Sequence, residues 1–200
     1  PLPLSRHVSR PAVTVIVTGG DVDGVSIGGN PFLHGCRRNV DLTYIVMDNQ
    51  VYGMTKGQAS PTTEATWAKG KLTPGGPGIN PFNPLVIALA SGANYIARCS
   101  SSDPNGTAKV LAEAIVHPGF SFVQIMSPCV TYRPEQRDWK KTARPSPVEA
   151  TDDPARAARR LMSDDGLNTG PLYIGSRAPY QPELKASVEN LTELEQEFVV

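Results

Sequence analysis

Two short apolar runs rich in β-branched residues, VTVIVT at 13–18 and LTYIVM at 42–47, constrain this chain more than any other feature. Neither alternates polar with apolar positions, so each reads as a strand covered on both faces, as in a parallel sheet. Between them a helix-compatible stretch at 26–38 ends in Arg37-Arg38-Asn39, and the three segments make a βαβ unit with a right-handed crossover. The same punctuation continues downstream. Asn83 caps a helix with Pro84 at its first position, running through Leu85, Ile87, Ala88 and Leu89 towards Gly92. Residues 95–97 read as a short strand; Val110, Leu111, Ala114 and Ile115 recur at helical spacing within 107–117, and His117-Pro118-Gly119 ends that helix. FSFVQIM at 120–126 is the next buried strand. Strands alternating with helices predict an α/β fold, a doubly wound and mostly parallel sheet.

After Cys129 the pattern weakens. Asp153-Pro154 opens a helix with Ala155, Ala158, Leu161 and Met162 inward, and Val188, Leu191, Leu194 and Phe198 mark a terminal amphipathic helix. The expected division is an α/β domain over 1–135 and a tail over 136–200 whose helices pack on the domain or on a partner subunit. The stretch at 52–83, polar and rich in Gly and Pro, is longer than a compact domain tolerates unless it covers a site.

Charge and cysteine usage narrow the classes. With 19 basic and 19 acidic residues the chain has no field to draw it to nucleic acid or an acidic membrane surface. No apolar run approaches the roughly 20 residues of a membrane span, and the opening residues lack the charged-then-apolar order of a signal peptide. Three cysteines, Cys36, Cys99 and Cys129, are odd in number and far apart, which argues against a disulfide framework and for a reducing, cytoplasmic setting.

Ligands of open parallel sheets bind beyond the carboxyl ends of the strands. The first strand runs into Gly19-Gly20-Asp21-Val22-Asp23-Gly24 and the second into Asp48-Asn49-Gln50-Val51-Tyr52-Gly53. If the two strands are near neighbours, Asp21 and Asn49 arrive at one edge, among glycines that let a ligand approach the backbone. Magnesium takes a near-octahedral oxygen shell, which Asp21, the Asn49 side chain and the Val51 carbonyl begin and a diphosphate completes. The Val22 and Asp23 amides, with the helix N-terminus after Ser26, can face the same anion. An EF-hand is excluded because its later ligands do not follow Asp23, and no GxGxxG occupies the first turn.

GGDVDGVSIGGN, HGCRRNVDLTYIVMDNQVYGMTKGQASPTTE and SPCVTYRPEQRDWKK together resemble the beta subunit of 2-oxoacid:ferredoxin oxidoreductases, nearest to the 2-oxoglutarate and pyruvate enzymes. The resemblance implies a thiamine diphosphate-binding fold, with thiamine diphosphate, magnesium and a [4Fe-4S] cluster as cofactors. It further implies a 2-oxo acid and coenzyme A as substrates, and an alpha subunit and ferredoxin as partners. Carried over by position, it makes Asp21, Asn49 and the Val51 carbonyl the metal ligands. Gly20, Val22, Asp23, Gly53 and Met54 become the cofactor contacts, and Lys56 a cation for the substrate carboxylate. Cys129 matches an isolated cluster ligand whose three companions, in the family, lie in sequence upstream of what corresponds to residue 1. The carboxylate that contacts the aminopyrimidine comes from the partner subunit in this family, so this chain is expected to be inactive alone. The family has glycine where this chain has Val22, histidine where it has Pro31 and glycine where it has Cys99. A non-catalytic subunit that keeps the fold and its interfaces therefore stands beside the enzyme reading.

Overall fold

The computed structural model describes residues 13–70 and 72–181. Six strands form one sheet in the order β1-β2-β4-β3-β6-β5. They are β1 (Ile16–Gly20), β2 (Leu42–Asp48), β3 (Tyr95–Ser100), β4 (Phe120–Met126), β5 (Arg144–Pro145) and β6 (Asn168–Ile174). The first four by spatial order run parallel, and β6 joins antiparallel to β3. The helices are α1 (Gly29–Arg38), α2 (Pro84–Ala90), α3 (Pro104–Val116), α4 (Trp139–Thr142) and α5 (Pro154–Ser163). The α/β, mostly parallel fold expected of the sequence is the fold observed.

Helix starts follow one local rule. Asn83, Asp103 and Asp153 each precede a proline at the first helical position, and each side chain accepts a backbone N–H of the first turn. α1 ends instead on Asn39 in the left-handed conformation, φ 53°. The Asn39 side chain accepts the Phe120 N–H at 2.8 Å and donates to the Arg177 and Ala178 carbonyls, tying α1 to β4.

Two apolar layers sandwich the sheet. On one face α1, α2 and α5 bring Phe32, Leu85 and Leu161 against Tyr44, Val46, Ile96 and Phe122. On the other, α3 brings Val110 and Ala114 against Tyr95, Ala97 and Val123. The opposite faces follow from handedness: the β1-to-β2 crossover moves one way along the sheet and the β3-to-β4 crossover returns, so both are right-handed only on opposite sides.

β1 departs from expectation. It is an edge strand, and Ile16 is 48% exposed while Val17 is buried, because α1 covers one face only. α5 also turns differently: Ala157 and Leu161 face inward, and Ala155 and Met162 face solvent. Arg160, beside Leu161, donates to the Glu149 and Val148 carbonyls at 2.7 and 3.0 Å. β6 has no counterpart in the sequence reading; Gly170 and Pro171 interrupt its pattern, and it pairs with β3 across an irregularity at Ile96/Ala97. The terminal helix expected over 188–198 lies outside the described residues.

Candidate functional site

Parallel pairing aligns Gly20 with Met47 and Asp48 with Met126, so the residues that follow these positions emerge side by side at one edge of the sheet. Asp21 leaves β1 directly into a helical segment whose next turn, Asp23–Ile27, is a π-helix. Such wide turns collect at functional sites because they re-aim side chains within a helix. Gly28 closes it by donating to the Asp23 carbonyl at 2.8 Å, and an added Cβ at Gly28 would lie 2.2 Å from that oxygen. Val22, where the resembling family has glycine, sits at φ −71°, ψ −53°, which any residue adopts, so the branched side chain costs no backbone strain there. Pro31 falls in the first turn of α1, where a missing N–H breaks no helical bond.

At the second strand end, Asp48 and Asn49 shape their own turn. Asp48 Oδ1 accepts the Gln50 N–H and Asn49 Oδ1 accepts the Val51 N–H, at 3.1 and 3.0 Å, leaving Gln50 at φ 56°. Val51 is buried, and among the described residues its carbonyl accepts no hydrogen bond. Asn49 keeps one lone pair of its amide oxygen uncommitted.

Asp21 is brought most closely to two residues the sequence did not single out, Asp48 and Thr62. Thr62, returning from the long 52–83 segment, places its hydroxyl 2.9 Å from Asp21 Oδ2 and 2.8 Å from Asp48 Oδ1. Gln124 Nε2 donates to Asp48 Oδ2 at 2.6 Å. Asp21, Asp48 and Thr62 are buried at 3%, 2% and 4% exposure. Burial raises the Asp21 pKa. Burial and the neighbouring Asp21 charge push Asp48 up to about 6. One hydroxyl proton can serve only one of the two carboxylates at a time, so the second contact calls for a carboxyl proton or a cation nearby.

The loop is held from the far side. Arg133, buried itself, donates to the Gln50 carbonyl, to both oxygens of Glu64 and to Glu135, and stacks 4.9 Å over Trp67. Gln136 donates to the Asn49 carbonyl at 2.8 Å and accepts the Cys129 N–H at 2.9 Å. Cys129, half-buried, follows the end of β4, and a Cβ at Gly53 would lie 3.7 Å from its Sγ. The structure thus sets Cys129 beside the Gly53 turn. Met54 and Lys56 lie at the tip of that turn, Met54 fully exposed and Lys56 exposed at φ 70°; the Lys56 ammonium takes no part in the buried network. Cys36 and Cys99 are buried thiols, Cys99 pushed up to about 11 by burial. No group of three or more His, Cys, Asp or Glu side chains gathers around a point among the described residues, and none of their helices is long and apolar enough to cross a membrane.

Residues 4–125 match the model of the thiamine pyrophosphate enzymes' C-terminal TPP-binding domain. The 2-oxoglutarate synthase subunit KorB of Archaeoglobus fulgidus is 44% identical over 126 residues, covering 63% of this chain and 47% of the relative. The 2-oxoacid:ferredoxin oxidoreductase subunit beta of Saccharolobus solfataricus is 43% identical over 126 residues, covering 62% and 41%. The chain spans about half the length of the curated relatives it matches. A structure of the 2-oxoglutarate:ferredoxin oxidoreductase from Magnetococcus marinus, with 2-oxoglutarate, coenzyme A and succinyl-CoA bound, superposes with a TM-score of 0.85 at 32% identity, covering 98% of this chain and 72% of that one.

Proposed function

The chain belongs to the thiamine pyrophosphate enzymes through their C-terminal TPP-binding domain, and from that we propose that it is the beta subunit of a 2-oxoacid:ferredoxin oxidoreductase. In this reading the holoenzyme decarboxylates a 2-oxo acid, 2-oxoglutarate ahead of pyruvate, to the acyl-CoA and passes the electrons to ferredoxin. The names of the similar proteins and the ligands of the similar structure support the substrate class. The single observation that carries the reading is the meeting of Asp21 with the Asp48-to-Val51 turn at neighbouring strand ends.

The donor set fits magnesium. Asp21 would supply a carboxylate, Asn49 its uncommitted amide lone pair and Val51 its backbone carbonyl, all hard oxygens. The cation would relieve the charge that Asp21 and Asp48 share. Gly20, Val22 and Asp23 would face the diphosphate at the helical turn after β1, while Gly53 and Met54 would line the cofactor from the second turn. Thiamine diphosphate, when bound, supplies a nucleophilic carbon and an electron sink for decarboxylation. Lys56, exposed on the adjoining turn, would offer its cation to the substrate carboxylate. Cys129 would serve as one ligand of a [4Fe-4S] cluster in the assembled subunit, beside the Gly53 turn. The remaining ligands, the aminopyrimidine-facing carboxylate and the coenzyme A site would come from sequence outside this chain and from an alpha subunit. Three unpaired cysteines suit a reducing, cytoplasmic setting.

Titration of the full chain with thiamine diphosphate tests the reading. Binding that requires Mg²⁺ and raises the melting temperature is expected, about 2.7 kcal/mol of stabilisation at a hundredfold excess over Kd. Asp21→Ala should abolish it. No calorimetric heat and no thermal shift at millimolar cofactor would instead favour a subunit that keeps the fold for its interfaces alone.

A further inference from the structure

Behind the cofactor edge a file of buried polar side chains crosses the sheet. Asp48 Oδ2 accepts from Gln124 Nε2 at 2.6 Å, and Gln124 Oε1 accepts from Arg98 Nε at 3.1 Å, Arg98 and Gln124 being directly opposed on β3 and β4. The Arg98 guanidinium pairs with Asp164, at the C-terminal end of α5, and donates to the Asn168 carbonyl at 3.2 Å. Asp164 is itself fixed by the Asn168 amide at 2.5 Å and the Gly166 N–H at 3.1 Å. The ion pair is enclosed, its side chains 6% and 9% exposed.

The file has a direction. A glutamine amide offers two donors at one end and an acceptor at the other. Arg98 can only donate, so it holds Oε1 and turns Nε2 towards Asp48; the flipped amide would set NH₂ against the guanidinium and oxygen against the carboxylate. A buried ion pair is a weak source of stability compared with apolar residues of the same volume, because desolvation offsets most of the attraction. Orientation is what this one supplies. Asp164 lies outside the residues matched by the family model.

We propose that Arg98, Gln124 and Asp164 are positioning residues for the cofactor edge: the ion pair sets the Gln124 amide, and Gln124 sets the Asp48 carboxylate beside Asp21 and Asn49. The segment that follows β4 is thereby part of the site. This rests on the thiamine diphosphate reading. The test is a calorimetric titration of the full chain with Mg²⁺ at fixed thiamine diphosphate, below the melting temperature of every variant. Gln124→Met and Asp164→Asn should each weaken Mg²⁺ binding about 10–100-fold, the usual cost of losing a group behind the metal ligands, here acting through Asp48, which shares the Thr62 hydroxyl with Asp21 and precedes Asn49. The double variant should lose no more than the weaker-binding single one, because the residues act in series. Asp164→Glu, which keeps the charge, should recover part of the loss. A merely structural role would lower the melting temperature and leave the Mg²⁺ affinity in place. If Gln124→Met does not fold, Asp164→Asn, which keeps shape and a hydrogen bond to Arg98, carries the comparison. Variants that bind Mg²⁺ as the parent does overturn the proposal and leave the cofactor reading standing; a parent chain that binds neither ligand overturns both.

Discussion

Asp48 ends β2 with one oxygen shared between Thr62 and the Gln50 amide and the other held by Gln124. Its carboxyl keeps a proton up to about pH 6 in the folded protein and to 3.8 in the unfolded chain. The native state therefore binds the extra proton across that window, and the metal-free chain loses stability as pH rises from about 4 to 6. Asp48→Asn should flatten this slope and leave what Asp21, also raised by burial, contributes, a difference on the order of 1–3 kcal/mol between the two ends of the window, read as urea midpoints of parent and variant. The thiols separate as sharply. Burial raises the pKa of Cys36 and Cys99 and hides both, whereas Cys129 reaches solvent beside the Gly53 turn. Iodoacetamide under native conditions should label Cys129 alone, and mass spectrometry showing equal labelling at Cys36 would contradict the fold around α1. That Asp21 and Asn49 follow the ends of neighbouring strands was readable in the sequence, from the apolar runs that precede them. Thr62 and Asp48 were not, since nothing local says where a loop of some thirty residues returns, and an aspartate in the last position of a strand looks like an ordinary turn residue.

At the scale of elements, the turn from β1 into α1 carries the most consequence per residue. Gly28 has room for no side chain, because the π-turn brings the Asp23 carbonyl into the space a Cβ would fill. Gly28→Ala should cost about 1–3 kcal/mol by opening this turn, and it should weaken thiamine diphosphate binding more than its effect on the melting temperature accounts for. Gly35→Ala is the comparison: its Cβ would meet the Phe120 ring at 2.6 Å, in the core and away from the strand ends, so stability falls without a matching loss of affinity. The parallel strands and their helices were legible because buried strands advertise themselves as apolar runs and because Asn83-Pro84 and Asp153-Pro154 mark two helix starts; the third, Asp103-Pro104, lies three residues before the start that apolar spacing gave. β6 was not. Its Gly170 and Pro171 read as a break, and only the pairing with β3 makes them a strand.

For the whole molecule, the sheet and its clamps extend past the boundary that composition suggests near residue 135. Gln136 holds the Asn49 turn, Leu161 and Leu172 complete the core shared with α2, and β6 covers the side of β3 that β4 does not. A chain ending after Ala143 should consequently lack a cooperative thermal transition, and calorimetry of the full chain should show one transition over the described residues; two separable transitions would divide the molecule near residue 135 after all. The order of the strands has one more implication, for synthesis. β4 is made after β3 yet must enter between β3 and β2. Until the ribosome has released Met126, both of its neighbours present unpaired backbone edges with nothing of their own chain to fill the gap. Nascent chains arrested just short of Phe120 are thus the form of this protein most open to capture by a chaperone or by each other.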